Sequence, residues 1–364
     1  MVYLDYSATT KASTNVINKF VDIENKYFAN PNSVHKLGLL ANEEIKNSTD
    51  VICNSLGIKS NELIYTSGAS EANNLALKGV GASHIITTKL EHSSINTTVG
   101  YLQTKGVHIS FVKLDNNGLV DINDLKSLIG NEDTLVSIGM VNSEVGIRQP
   151  IEKIGKLLKK YPNVTFHSDI TQALGKEVFS LEDVDLASFS LHKIFGLKGI
   201  GGLIKKEHIR LTPLIHGGKS TTIYRSGTPQ TGLICSSSVA IADALENLNE
   251  KINYVKDLNN YLKNNIKDIV KINSNDYSIP FILNFSLDIN SDEALKYFSD
   301  NDIYLSTKTA CSSGNYSYVI NELYHDMQRA ENSLRVSISY KTTKDDLDTF
   351  IKYLKEFVNE NSKN

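Results

Sequence analysis

Between residues 63 and 205 short apolar runs alternate with helix-patterned stretches, and this alternation constrains the fold more than any other feature of the chain. The strand-like runs fall at 63–66, 84–88, 107–114, 134–141, 164–168, 185–190 and 200–205. Runs this apolar leave no face for water, so they predict a mostly parallel sheet covered on both faces by the intervening helices. The alternation reaches about residue 235. A helical pattern from Ser236 to Val270 then leads to strands near 280–287, 303–307 and 333–339 and to a last helix over Lys344–Asn359. These elements predict a smaller α+β layer beside a large α/β one, and 364 residues suffice for both.

Open parallel sheets bind ligands at the carboxyl ends of their strands, so the residues at those ends carry the chemistry. Ser190-Leu191-His192-Lys193 ends one strand, and Phe166-His167-Ser168-Asp169 ends another. A lysine amine in a partly desolvated pocket forms a Schiff base with an aldehyde cofactor, and a buried carboxylate keeps a pyridine nitrogen protonated; together they suggest a pyridoxal phosphate site. Gln172, just beyond Asp169, would face the same ring. Residues 61–77 read as a strand (Leu63 to Thr66), a tight Ser67-Gly68-Ala69 turn and a helix, which aims free N–H groups at an anion, with Ser70 adding a hydroxyl. The same residues would also serve an ordinary helix start. Glu91-His92-Ser93-Ser94 follows another strand, so the His92 imidazole is either a stacking partner for a ring or a satisfied core residue. Gly196 to Gly202 looks like a dinucleotide loop, but a strand follows it where such a loop would open a helix.

Ten stretches in order then carry a family resemblance: LDYSATT (4–10), NPNSVH (30–35), YTSGASEANNLAL (65–77), EHSSI (91–95), VNSEVG (141–146), HSDITQALGK (167–176), FSLHKIFGLKGIG (189–201), YRSGT (224–228), TACSSG (309–314) and SLRVS (333–337). The chain resembles, nearly end to end, the bacterial cysteine desulfurases of the class V aminotransferase group. The resemblance implies an aspartate aminotransferase-like fold of type I. It places the large pyridoxal-phosphate-binding domain at 15–250, and the smaller domain, carrying the active-site Cys loop, at 1–14 and 251–364.

By position, the resemblance makes Lys193 the Schiff-base lysine, Asp169 the partner of the pyridine nitrogen, His92 the ring-stacking residue, and Gln172 a contact to the ring hydroxyl. Ala69, Ser70, Ser190 and His192 would hold the phosphate, with Thr228 reaching the phosphate of the other subunit of a homodimer. Asn30 and Arg335 match the positions that bind the substrate carboxylate, a role suited to a planar guanidinium. Cys311 aligns with the catalytic cysteine that takes sulfur from L-cysteine as a persulfide, leaving alanine. The acceptor would be an iron–sulfur scaffold or a tRNA thiolation enzyme.

The three cysteines have no paired or metal-type spacing, so neither disulfides nor structural zinc is expected and the compartment is a reducing one. Cys53, in the helical run Val34 to Leu56, and Cys235, in an apolar segment, read as small buried hydrophobes. A net charge of -3 provides no basic field for nucleic acid, no run reaches membrane-span length, and the N-terminus opens without a signal peptide; a soluble cytoplasmic enzyme is expected.

Several positions depart from the family pattern. Ser143 stands where an asparagine usually contacts the ring hydroxyl, Leu191 replaces a small residue, and Lys219-Ser220-Thr221 follows His216-Gly217-Gly218 in place of the common Gly, Gln and Glu. Lys308 stands where glycine is common before the active cysteine, either lowering the Cys311 thiol pKa or acting as plain surface charge. Alternatives remain an aminotransferase, a selenocysteine or cysteine lyase, or a degenerate member that only binds.

Overall fold

A computed structural model describes residues 1–307 and 316–361. Its first half runs β1 (Val2–Tyr3), α1 (Thr14–Lys26), α2 (Lys36–Leu56), β2 (Leu63–Thr66), α3 (Ala69–Gly79), β3 (His84–Thr87), α4 (Ser93–Gln103), β4 (His108–Phe111), α5 (Ile122–Leu128), β5 (Thr134–Ser137), α6 (Ile151–Leu158), β6 (Val164–Asp169), β7 (Leu186–Ser190) and β8 (Gly201–Lys205). Strands β2 to β8 form one seven-stranded sheet in the order β2-β8-β7-β6-β5-β3-β4. Only β8 runs against the other strands. All seven expected strands form, several of them a few residues shorter than the apolar runs. Strands β3, β5, β7 and β8 are buried along their whole length, as their apolar runs require.

After β8 come α7 (Thr231–Leu245), α8 (Leu248–Ile266), β9 (Lys271–Ile272), β10 (Ile282–Ser286), α9 (Ser291–Asp300), β11 (Ile303–Tyr304), α10 (Tyr318–Tyr324), α11 (Met327–Glu331), β12 (Ser333–Ser337) and α12 (Lys344–Asn361). The helix expected over Ser236 to Val270 is two helices. Asn247 breaks it, adopting a left-handed φ of 49° that asparagine tolerates better than most residues. Helix α7 is rich in Gly, Ser and Ala and packs on α1 and α2. A Cβ on Gly232 would lie 2.9 Å from Phe20 Cδ2, so small residues set that approach.

Strands β12, β10 and β9 make a second, antiparallel sheet. The N-terminus joins this part of the molecule: β1 pairs in parallel with β11, and Asp5 bridges Ser337. Residues 1–10 therefore run from the small sheet toward the carboxyl ends of the large one. Among the described residues, no helix is long and apolar enough to cross a membrane.

Candidate active site

The carboxyl ends of the parallel strands open into a cavity of about 450 Å³, within the range of cofactor and small-ligand sites. Ala69, Ser70, His92, Ser143, Asp169, Gln172, Ser190, His192, Lys193 and Arg335 all line it. Residues separated by more than 260 positions meet there because each sits at a strand end or on a segment crossing those ends.

Asp169 ends β6 and Lys193 lies in the turn after β7. Strand β6 is locked laterally by His167, whose buried ring spans Ser137 Oγ at 2.9 Å and Ser188 Oγ at 2.8 Å. Burial pushes the His167 pKa down to about 4, so it acts as a neutral tie between β5, β6 and β7. Asp169 Oδ1 accepts the Thr171 N–H at 2.9 Å, and Oδ2 accepts from Asn73 Nδ2 at 2.8 Å. The same amide nitrogen donates to Ser94 Oγ at 2.9 Å, and Ser94 Oγ lies 2.9 Å from His92 Nδ1. One buried asparagine thus connects the floor carboxylate to the ring on the wall. Burial lowers the His92 pKa, which favours the neutral imidazole that stacks on an aromatic ring.

Lys193 Nζ donates to Ser7 O and Ala8 O, both at 2.6 Å, so the N-terminal segment forms the wall opposite the sheet. That wall is pinned by the Thr10 N–H to His192 O at 2.8 Å and by Thr9 Oγ1, 3.0 Å from His192 Nδ1. Phe195, just beyond the lysine, has φ 62° and is held there by its N–H to Thr10 Oγ1 at 2.7 Å. The tight reversal turns the lysine inward at the expense of backbone strain.

Helix α3 opens at Gly68, and its first residues, Ala69 and Ser70 among them, line the cavity. Strand β8 passes directly beneath. A Cβ on Gly201 would stand 2.7 Å from Gly68 Cα and one on Gly202 2.5 Å from Phe189 Cζ, so a strand, not a nucleotide loop, needs these two glycines. Glu71 in this turn accepts the Ser67 N–H at 2.8 Å and Arg225 Nε at 3.0 Å. That ion pair ties the 224–228 loop to the cup.

Lys176, Glu91 and Asp5 were not singled out in the sequence, and Asp5 acts through Arg335, which was. Lys176, 6 % exposed, donates to Gln172 Oε1 at 2.6 Å while Gln172 Nε2 donates to Ser7 O at 3.0 Å, which fixes the amide's orientation. Burial pulls the Lys176 pKa down to about 7. Glu91, buried beside Gly139, accepts from Thr88 Oγ1 at 2.8 Å, and burial pushes its pKa up to about 7. Arg335 is 1 % exposed; Nη2 donates to Asp5 at 2.8 Å and Nη1 to Ser143 O at 3.0 Å. Its buried Nε has no hydrogen-bond partner among the described residues. In the sequence Lys176 and Asp5 show only as members of the stretches HSDITQALGK and LDYSATT.

Two expected site residues lie apart from the cavity. Asn30 is exposed in the loop before α2, where Gly38 lets that loop sit on the helix: a Cβ there would be 2.7 Å from Asn30 O. Thr228 is exposed as well. Cys311 and Lys308 lie outside the described residues. Their neighbours are anchored at the cavity: Ser306 pairs with Arg335 across a bridge, and Ser317 Oγ donates to Glu144 at 2.5 Å.

These groups fit pyridoxal phosphate: an amine for the aldehyde, a carboxylate for the ring nitrogen, a neutral imidazole for the ring face and a glycine-lined helix start for the phosphate. The sequence profile of the class V aminotransferases matches residues 2–350. A cysteine desulfurase IscS of Buchnera aphidicola subsp. Schizaphis graminum is 37% identical, over 96% of this chain and 91% of its own length. A solved NifS-like protein superposes with a TM-score of 0.93 at 31% identity, covering 98% of this chain and 99% of that one. A structure described as SspA in complex with cysteine gives 0.82 at 29% identity, over 94% and 100% of the two chains. The chain belongs to the class V aminotransferases, enzymes that use pyridoxal phosphate. Within that family its relatives place it among the cysteine desulfurases.

Proposed function

We propose that this chain is a pyridoxal-phosphate-dependent cysteine desulfurase that converts L-cysteine to L-alanine and carries the removed sulfur as a persulfide on Cys311. The convergence of Lys193, Asp169, His92, the start of α3 and Arg335 on one cavity is the observation that carries this reading. When bound, the cofactor supplies the electron sink that loosens bonds at the substrate α-carbon. The Asp169 carboxylate would hold the proton on the ring nitrogen, His92 would cover the ring face, and Gln172 and Ser143 would contact the ring hydroxyl. Ala69, Ser70, Ser190 and His192 would bind the phosphate. Burial draws the His192 pKa down to about 4. Lys193 Nζ would form the cofactor link and, once displaced by substrate, move protons at the α-carbon.

Arg335 has Asp5 and Ser143 O to hold its terminal nitrogens, and its open Nε–H suits a substrate carboxylate, with Asn30 as second donor. The Cys311 thiolate attacks the substrate sulfur: the new S–S bond forms as the C–S bond breaks, and that electron pair, with a proton, completes alanine. The terminal sulfur then passes to an acceptor protein serving iron–sulfur cluster assembly or tRNA thiolation.

The working unit of this proposal is a homodimer. Phe28 and Val34, 72% and 91% exposed, flank Asn30, and Ile223 stands exposed on the Thr228 loop; apolar side chains of this size beside incomplete site residues suit cover by a second copy. Thr228 would then meet the phosphate of the partner site. Residues 15–250 form the cofactor domain, and 1–14 with 251–364 the smaller one, a division supported by the β1–β11 pairing. Buried free thiols at Cys53 and Cys235 suit a cytoplasmic enzyme.

The test is incubation of the holoenzyme with L-cysteine and a thiol reductant. Alanine and sulfide should appear in equal amounts. Pyruvate and ammonia in place of alanine, or failure to take up pyridoxal phosphate, would overturn the reading.

A further inference from the structure

The sheet end away from the cavity carries a cluster that the desulfurase reaction does not use. His84 opens β3 and His108 opens β4, and the parallel register sets them side by side. His84 also pairs with Thr134 of β5, so Glu132, two residues before that strand, reaches the same end. Asn163 Nδ2 and Thr134 Oγ1 both donate to Glu132 O, at 2.7 and 2.9 Å, and hold its backbone in place.

Glu132 Oε1 lies 3.3 Å from His84 Nδ1 and 3.9 Å from His108 Nδ1, and the two rings stack at 4.3 Å. His84 is 1% exposed, and its Nδ1 is buried without a hydrogen-bond partner among the described residues. Its other nitrogen is engaged, with Nε2 2.8 Å from Ser110 Oγ. A hydrogen bond at one ring nitrogen that leaves the other aimed at a carboxylate is the arrangement of a metal-binding histidine and its outer partner.

We propose that His84 Nδ1, His108 Nδ1 and Glu132 Oε1 bind one divalent late transition metal ion, zinc in the first instance, with water in the fourth position. Zinc bonds of about 2.0–2.2 Å in a tetrahedron set neighbouring ligand atoms about 3.3 Å apart, and His84 and Glu132 already stand at that spacing. His108 Nδ1 stands 3.9 Å from Glu132 Oε1, and because His108 is exposed its ring has room to leave the stack and turn toward the same point. Two imidazoles with a single carboxylate select zinc over magnesium or calcium, which prefer all-oxygen sites. The ion would clip the edge strand β4 to β3 and to the approach to β5, far from the reacting atoms. Sequence spacing conceals the site because strand register, and no local motif, assembles it.

Zinc binding is measured by chelator competition on the pyridoxal-phosphate-loaded enzyme and on loaded His108→Ala and Glu132→Gln. Zinc held by other groups, Cys311 included, is common to all three, so the difference reports this site. The unaltered enzyme should hold one more zinc per chain, with affinity at that site about tenfold or more above either variant. Zinc should raise its melting midpoint, and the rise should vanish in both variants while alanine formation persists. Equal stoichiometry and affinity in the three proteins would overturn the proposal and leave the cluster as a plain His–Glu contact.

Discussion

The floor of the cavity and its rim are built in different ways. On the floor, Asp169, Gln172 and Lys193 each have at least two hydrogen bonds to fixed partners, on or beside strands buried on both faces. At the rim, Asn30 and Thr228 are exposed and stand outside the cavity. One chain thus preorganises most of the groups that would handle the cofactor, and Arg335 with them, while Asn30 and Thr228 await other molecules. Cofactor chemistry gains from fixed geometry, and sulfur delivery requires a group that can travel.

The contrast is broken most severely at Lys193. In Lys193→Ala the floor loses the amine that donates to the Ser7 and Ala8 carbonyls, and turnover should fall by about 10³- to 10⁴-fold. Borohydride reduction of the unaltered enzyme should place the pyridoxyl group on Lys193, and its recovery on another lysine would refute the floor as drawn. Arg335→Ala cuts the connection between floor and small sheet. It should reduce kcat/KM for cysteine by an amount on the order of 1.5–3 kcal/mol and also destabilise the fold, because Asp5 and Ser143 O lose their partner. Arg335→Lys should not restore affinity, since an ammonium cannot span the same acceptors.

Glu91 gives a smaller and pH-dependent effect. Its folded pKa of about 7 lies above the ordinary carboxylate value of 4.5, so the native state holds the proton longer than the unfolded chain. The stabilising contribution is complete below about pH 4.5 and is lost as pH rises through 7, by about 3 kcal/mol in all. Glu91→Gln should flatten the decline in denaturation midpoint between about pH 5 and pH 7.5; a decline of unchanged steepness would contradict the burial argument. The mildest effect concerns the rim. Thr228→Ala should weaken phosphate retention by about tenfold or less, and mixing it with Lys193→Ala should return unaltered cofactor retention to one site of each hybrid dimer, the site with neither defect. A fully active monomer in sedimentation would remove the basis for that exchange.

Legibility in the sequence followed the same division. The large-sheet strands were readable because burial on both faces writes itself as an apolar run, and the floor residues because they sit at strand ends. Asn73, Lys176 and Asp5 were not, since each matters only through a partner set by tertiary packing. The break at Asn247 was hidden because no glycine or proline marks it between two helix-forming segments. Similarly, His84, His108 and Glu132 meet through register between strands, which no local pattern records.

The central claim is that the floor activates cysteine and Cys311 receives its sulfur. Holoenzyme mixed with L-cysteine without reductant, alkylated and digested, should show one added sulfur atom on the peptide bearing Cys311, in amounts matching the alanine formed. Cys311→Ser should bind cysteine, seen as a change in cofactor absorbance, yet release no sulfide. Sulfide release by Cys311→Ser at the rate of the unaltered enzyme, or the added sulfur located on Cys53 or Cys235, would contradict the account.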